Sequence, residues 1–383
     1  MLEWLVVGAG IHGTLLAHRL LASGRVSRDR LRLLDPHDEP LSAWRLRAET
    51  VGMPFLRSPS VHHLAVEPGA LVAFAAARDR GSEFIGAYGR PSTALFAAHC
   101  RDLVMREKLC EVCVRAEARG LTRSARGFRV ETTSGALKAR NVLVAHGRSR
   151  LTRPAWTREL AAAGARVAHV FEPGIDAALA GAQRIAIVGG GITAAQLAVR
   201  LAERAQLTVI ARHPIREHDF DSDPGWLGPR HLADFARLRD PEERRARIRK
   251  ARNRGSLPRD VALAVDQART RSALDWRKDE VRSAGFAGGT IALDCASGAR
   301  LSCDAVALAT GFAPEPARDT WLGDAVDVLG LPCAPCGSPL VDGALRWAPG
   351  LFVSGALAEL EIGPAAPNIA GARMAAERIL AAL

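Results

Sequence analysis

The chain has 383 residues, is 48% hydrophobic and carries a formal net charge of +11 at pH 7. That length allows two or three domains with substantial cores, and no apolar run is long enough to span a bilayer. The basic excess is nearly all arginine and has no aromatic–basic interleaving, so nucleic acid is not an expected partner, whereas a phosphate-rich ligand is compatible with it.

Residues 4–7 predict a first strand and residues 13–23 a helix, joined by Gly8-Ala9-Gly10-Ile11-His12-Gly13. In such a strand–turn–helix the first glycine makes the turn. The second lets the backbone approach a pyrophosphate, and the third lets helix and strand pack closely. The pyrophosphate rests on the helix N-terminus, where free N–H groups and the dipole favour an anion. His12 reads as a variable position inside the turn. The strand enters so early that no signal peptide precedes it, and the expected location is cytoplasmic. A second strand, Leu31-Arg32-Leu33-Leu34-Asp35, ends in an acid. Asp35 falls where a carboxylate accepts from ribose hydroxyls and repels a 2′-phosphate, which suits FAD or NAD.

Residues 41–95 read as irregular and 92–107 as a helix. A two-stranded region follows at 109–118 and 127–132, then a buried strand at 139–145, and 148–182 reads as a linker. A second unit begins near residue 183. The strand Ile185-Ala186-Ile187-Val188 leads into Gly189-Gly190-Gly191-Ile192-Thr193-Ala194, with Ala194 in the third-glycine position. The next strand, 207–211, is followed by Arg212, which stands where the first unit has Asp35. An arginine there suits a 2′-phosphate and predicts NADPH over NADH. Residues 213–285 read as a helical insertion, with the charged run 242–254 as a solvated face or, alternatively, a contact to nucleotide phosphate. Strands return at 290–293 and 305–308, the latter ending in Ala309-Thr310-Gly311-Phe312. A strand at 351–354 precedes Gly355, and the last helix starts near Pro364 to Asn368.

Two dinucleotide turns in one chain imply FAD plus NADPH. The expected fold is α/β, with two Rossmann-like dinucleotide-binding domains and a helical insertion in the second. Residues 1–150 and 305–383 would form a discontinuous FAD-binding domain, and 183–304 the NADPH-binding domain. Among seven cysteines, Cys110/Cys113 and Cys333/Cys336 have C-x-x-C spacing. The wide separation of the two pairs and the absence of histidine at ligand spacing argue against zinc. Cys333/Cys336 lies in a Pro/Gly loop, where it is either a reduced bystander or a redox pair near a flavin.

Ala309-Thr310-Gly311-Phe312, placed between a second dinucleotide turn and a final helix, resembles the strand-end motif of class B flavin-dependent monooxygenases, most closely the ornithine and lysine N-hydroxylases. The resemblance is patchy but extends over most of the chain. Met53-Pro54-Phe55-Leu56-Arg57-Ser58 resembles the segment those enzymes lay against the isoalloxazine. Arg90-Pro91 with Phe96 is similar to their next helix start, and Asp221 to Pro229 with the helices to Asn253 is similar to their insertion beside the nicotinamide. Gly355 and the stretch from Gly363 to Gly371 resemble the closing flavin contact. There are departures: no asparagine stands near Gly225-Trp226, and Arg57 occupies the place of a substrate-carboxylate lysine, while Asn253 matches a second substrate asparagine.

The resemblance implies an FAD- and NADPH-dependent monooxygenase that N-hydroxylates a small amine or amino-acid-like metabolite with O2, through a flavin C4a-hydroperoxide and without a metal. It implies cofactor contacts at Gly8, Gly10, Gly13, Asp35, Gly189, Gly191, Ala194, Arg212, Thr310, Gly311, Gly355, Pro364 and Asn368. It implies substrate or flavin contacts at Met53, Leu56, Arg57, Ser58 and Asn253, with His62 and His63 as candidate proton carriers. Related enzymes are often homo-oligomers. Two other readings remain open: an NAD(P)H-dependent flavoprotein oxidoreductase passing electrons to a disulfide, quinone or protein without oxygen insertion, and a flavin-binding sensor or scaffold.

Overall fold

In the computed structural model, which describes all 383 residues, two sheets divide the chain, the first mixed and the second parallel. The elements that position the site begin with β1 (Leu2–Val7), α1 (Ile11–Ala22), β2 (Leu31–Asp35), α2 (Ser42–Val51), α3 (Thr93–Arg106), β3 (Cys113–Arg115) and β4 (Gly135–Val144). Next come β5 (Val167–His169), β6 (Arg184–Val188), α4 (Ile192–Leu201), β7 (Gln206–Ala211), α5 (Pro229–Arg237), α6 (Pro241–Ala251), α7 (Arg259–Thr270), β8 (Leu274–Lys278) and β9 (Ala305–Leu308). The chain closes with β10 (Arg346–Ala348), β11 (Leu351–Val353), α8 (Glu359–Ile362) and α9 (Ile369–Ala381).

The first sheet runs β10-β11-β4-β1-β2-β3, and an antiparallel pair, Ala118–Ser124 with Gly127–Thr132, extends from the start of β4. Register aligns the carboxyl ends: Val7 pairs with Leu34 and Val144, and Val144 with Val353. Ligands of open α/β sheets bind beyond these ends. The strands are buried on both faces and so read as continuous apolar runs. Trp4, Leu5 and Val6 are essentially inaccessible, and the Trp4 and Phe352 rings pack at 5.1 Å. The second sheet runs β8-β7-β6-β9-β5. A three-stranded antiparallel sheet (Val281–Ala287, Thr290–Cys295, Arg300–Cys303) packs Ile291 and Leu293 against Ile210, Val306 and Leu308. No helix is long and apolar enough to cross a membrane.

The two glycine turns, the helices after them and the α3 helix fall where the sequence predicts. Other boundaries differ. The region 41–95 contains α2 and a helix at Ala70–Ala76. Residues 109–118 do not form one strand: Lys108 turns into the left-handed region (φ 49°) and starts a short helical turn over Leu109–Val112. The 148–182 linker supplies β5, which pairs with β9 inside the second sheet. Residues 305–308 therefore belong to the nucleotide unit and not to the first, because β9 lies between β6 and β5. The insertion is also narrower than 213–285. Helix α7 buries Val261, Ala262 and Val265 in the core shared with α4, and β8 pairs in parallel with β7. The helical departure from the repeating pattern is the stretch carrying α5 and α6.

Three buried histidines make stability pH-dependent. His12, His99 and His169 are at most 8% exposed, and burial, the largest cause, lowers each pKa to about 4. Their unfolded value is about 6.5, so the unfolded chain takes up protons first as pH falls. Stability is complete above about pH 6.5 and drains towards pH 4, by up to about 1.4 kcal/mol per pH unit for each histidine. Urea midpoints measured between pH 7.5 and 4.5 should fall steeply below about pH 6, and a flat profile would contradict the buried neutral state.

Candidate functional site

The first turn is built as its glycines require. Gly8 has φ +104°, and a Cβ there would lie 2.9 Å from the Ala145 backbone. A Cβ on Gly13 would lie 1.7 Å from the Gly8 carbonyl oxygen, whereas one on Gly10 would meet nothing within 4 Å. Gly10 is the N-cap of α1 and no side chain caps that end, so the first-turn N–H groups face open space. The Asp35 carboxylate accepts from Ala9 N at 2.7 Å and from the backbone N and ring Nδ1 of His37 at 3.0 and 2.7 Å. It thereby anchors the turn, and ionised it still has lone pairs for a hydroxyl. His12 is not an idle position: its ring shares a 2.8 Å hydrogen bond with the Ser354 hydroxyl and would sit 3.8 Å from a Cβ on Gly355 (φ +69°).

The second turn repeats the design. Gly189 has φ +140° and approaches the Ala309 carbonyl, Gly191 is an N-cap with no side-chain cap on α4, and Ala194 is fully buried. Gly189, Gly191, Arg212, Asn253, Thr310 and Gly311 line a cleft of 670 Å³. Arg216 and Arg254 join Arg212 there, and none of the three makes an ion pair. Arg254 ends the charged run for which phosphate contact is the alternative reading, whereas sequence reasoning missed Arg216 and His213, whose ring packs against Gly190 and lies so close to Gly255 that a Cβ there would collide with it. The Thr310 hydroxyl donates to the Thr152 carbonyl, and the Gly311 carbonyl accepts from Thr152 N at 2.9 Å and His169 Nε2 at 3.1 Å. Thr310 therefore fastens the 148–182 linker at Thr152, and the cleft wall there is backbone.

A cavity of 610 Å³ adjoins this cleft, sharing Arg57, Ile192, Thr193 and Asp221 with it. More than half of its lining residues are hydrophobic. Ile11, Ile192 and Asn368 all line it, so the starts of α1, α4 and α9 converge on one space. None of the three has a side-chain cap, and each presents the positive end of a helix dipole. Met53, Leu56, Arg57 and Ser58 line the same space. That segment is held by Thr93, whose hydroxyl and N–H donate to the Met53 and Pro54 carbonyls, and by Leu56 N, which donates to Pro91 O. Arg90, 6% exposed, donates to the Leu56 carbonyl and grips Asp260 of α7 through two bonds of 2.7 and 3.2 Å.

Arg57 reaches across in the same way. It donates to the carbonyls of His218, Asp219 and Phe220 at 2.6–3.0 Å and to the Ser256 hydroxyl at 2.8 Å. Asn253 donates its side-chain amide to Phe220 O and its backbone N–H to Asp221 O. Both residues reach the site, but their polar atoms fasten the 218–221 strap. His62 lines the cavity with its pKa lowered to about 4, chiefly by burial and then by Arg373 and His63, so it is neutral at pH 7. His63 is fully buried and bonded to the Pro68 carbonyl, a structural role. Pro364 lies beside the insertion, its carbonyl accepting from Arg252. Cys333 and Cys336 line neither the cavity nor the cleft.

Behind this site Glu359, at the start of α8 and 2% exposed, meets Arg148, Arg245 and Arg252. Burial alone would raise its pKa, but the three guanidiniums outweigh burial and hold it below the ordinary value.

Residues 76–287 match the family described as pyridine nucleotide-disulphide oxidoreductase, over half the chain. No curated protein matches. Among solved structures, ornithine hydroxylase from Pseudomonas aeruginosa superposes with a TM-score of 0.77 at 20% identity, covering 99% of this chain and 98% of that one. Ornithine N-hydroxylase from Kutzneria sp. 744 gives 0.78 at 15% identity, with 100% and 98% covered. L-lysine 6-monooxygenase from Pseudomonas syringae gives 0.75 at 16%, with 100% and 99% covered. At these identities the likeness is one of fold.

Proposed function

The chain belongs to the pyridine nucleotide-disulphide oxidoreductase family, and on that premise we propose that it is an FAD- and NADPH-dependent monooxygenase that N-hydroxylates a small amine. One observation carries the reading: a single apolar cavity is lined by the uncapped starts of three helices, two of which follow dinucleotide turns. The residues present fit both nucleotides. The open side of Gly10 and the free N–H groups of α1 suit the FAD pyrophosphate, Asp35 the adenosine ribose, Met53 to Ser58 the flavin face, and the start of α9 the far edge. Gly189 to Ile192 would hold the NADPH pyrophosphate, with Arg212, Arg216 and Arg254 available to the 2′-phosphate. Bound FAD would supply the redox chemistry, accepting a hydride from NADPH and activating O2 for transfer of one oxygen atom to nitrogen. The protein's own part is to align the two nucleotides and to keep water out with the apolar wall of Leu56, Phe171, Phe220 and Ile369. The solved structures named above, two of them ornithine hydroxylases and one a lysine monooxygenase, support the same reading.

The test is stoichiometric. NADPH and O2 consumption by the FAD-loaded protein should be matched by hydroxylamine product when an accepted amine is present. Complete return of O2 as hydrogen peroxide with every amine would instead favour electron transfer without oxygen insertion. Nucleotide choice has its own test. A charge-assisted hydrogen bond contributes about 1.5–3 kcal/mol, so Arg212→Ala should raise KM for NADPH by about tenfold or more and leave KM for NADH nearly unchanged. Equal effects on both would remove Arg212 from 2′-phosphate recognition.

A further inference from the structure

We propose that the substrate is an amine carried on an apolar or aromatic body and bearing no carboxylate; the proposal rests on the N-hydroxylating reading above. An α-amino acid needs a cation for its carboxylate, because an unpaired carboxylate removed from water is strongly disfavoured. The cavity contains two arginines and one histidine. Arg57 has four acceptors from the 218–220 carbonyls and Ser256, and its remaining Nη1 faces the Asp221 carboxylate at 3.9 Å. Asn253, the other position from which a carboxylate could be held, is fastened to Phe220 and Asp221. His62 is neutral. Arg47 alone has no polar partner, and it lies against the Phe312 ring at 4.9 Å and the Phe171 ring at 5.7 Å. Those two rings stack on each other at 5.6 Å, so the Arg47 guanidinium is held against an aromatic face of the cavity wall.

At the strap end the surroundings have the opposite character. Asp221 and Asp223 both line the cavity beside Leu56, Val61 and Leu227; Asp221 has only the 3.9 Å approach of Arg57, while Asp223 Oδ1 accepts from Gly225 N and lies 3.3 Å from His231 Nε2. Tyr88 and Phe220 meet edge-to-face there at 4.8 Å. Two carboxylates repel a substrate carboxylate but attract an incoming ammonium, and aromatic faces add a cation–π contribution. The apolar lining then rewards length: each buried methylene is worth about 0.8 kcal/mol, roughly three- to fourfold.

The test uses the full chain loaded with FAD. Butylamine, hexylamine, octylamine and phenethylamine are compared with L-ornithine and L-lysine, reading kcat/KM for hydroxylamine formation. In parallel, their equilibrium binding to the FAD- and NADP⁺-loaded protein is measured by calorimetry. The expected result is a gain of roughly three- to fourfold per methylene until the cavity is full, with hexylamine ahead of both amino acids in turnover and in binding. Asp221→Asn should weaken hexylamine binding severalfold. L-Ornithine or L-lysine binding tighter than hexylamine, or a series flat in chain length, overturns the proposal. If every amine returns only peroxide, N-hydroxylation fails. The calorimetric ranking still decides the substrate class, so the two failures are distinguishable.

Discussion

Gly10→Ala should give a folded protein that has lost its FAD. Gly10 has φ −71°, a value any residue adopts, and an added Cβ meets nothing within 4 Å. Neither backbone strain nor packing therefore opposes the methyl group. The stability cost is that of changing an N-cap from glycine to alanine, below about 1 kcal/mol. The methyl nevertheless stands in the one direction from which a pyrophosphate can reach the free N–H groups of α1, where close backbone approach is the reason for glycine. FAD retention should fall by two orders of magnitude or more, roughly 3 kcal/mol, while the apoprotein melts near the wild-type apoprotein. Gly13→Ala is the contrasting case: its Cβ would lie 1.7 Å from the Gly8 oxygen, so the turn itself must break and soluble protein should be lost. Flavin absorbance per polypeptide and thermal melts of both variants check this. A yellow, fully loaded Gly10→Ala protein would remove the first turn from FAD binding.

Glu359→Ala should be among the most destabilising single substitutions in the chain. The carboxylate is 2% exposed and is shared by Arg148, from the loop after β4, and by Arg245 and Arg252, from α6 and its end. Removing one member of a buried charge cluster leaves the others uncompensated, at about 3–5 kcal/mol, and here three cations would be left facing one another. Glu359→Gln keeps the shape and isolates the charge, and it should retain most of the loss. The damage extends beyond stability. Glu359 joins the insertion to α8, which precedes the closing helix α9, and Arg252 also holds the Pro364 carbonyl. NADPH oxidation should fall along with the urea midpoint, and a midpoint unchanged within about 0.5 kcal/mol would show that the arginines are solvated without their partner.

What the sequence revealed and what it hid follow from how far each determinant reaches. The glycine turns and the placing of Asp35 and Arg212 at the two turns are legible because each answers a demand made by the few residues around it. Helix α2 is not: it is arginine-rich, starts from Leu41 in a left-handed conformation and buries only Ala48 and Val51, so its apolar face is too thin to register as a period. Strand β5 has three residues, and β9 is apolar whichever sheet it joins. Arg57 stands in sequence where a substrate-carboxylate lysine is expected, yet its acceptors lie more than 160 residues along the chain. The Glu359 cluster is hidden for the same reason, since its arginines come from positions 107–211 residues away.

Arg57 and Arg90 rivet the short Met53–Ser58 segment of the first half to the second half, one through the 218–220 carbonyls and the other through Asp260. Any rocking of the nucleotide-bearing half must therefore drag that segment along. Under the proposed function, exposing the flavin face and releasing the pyridine nucleotide would then be coupled through these two arginines.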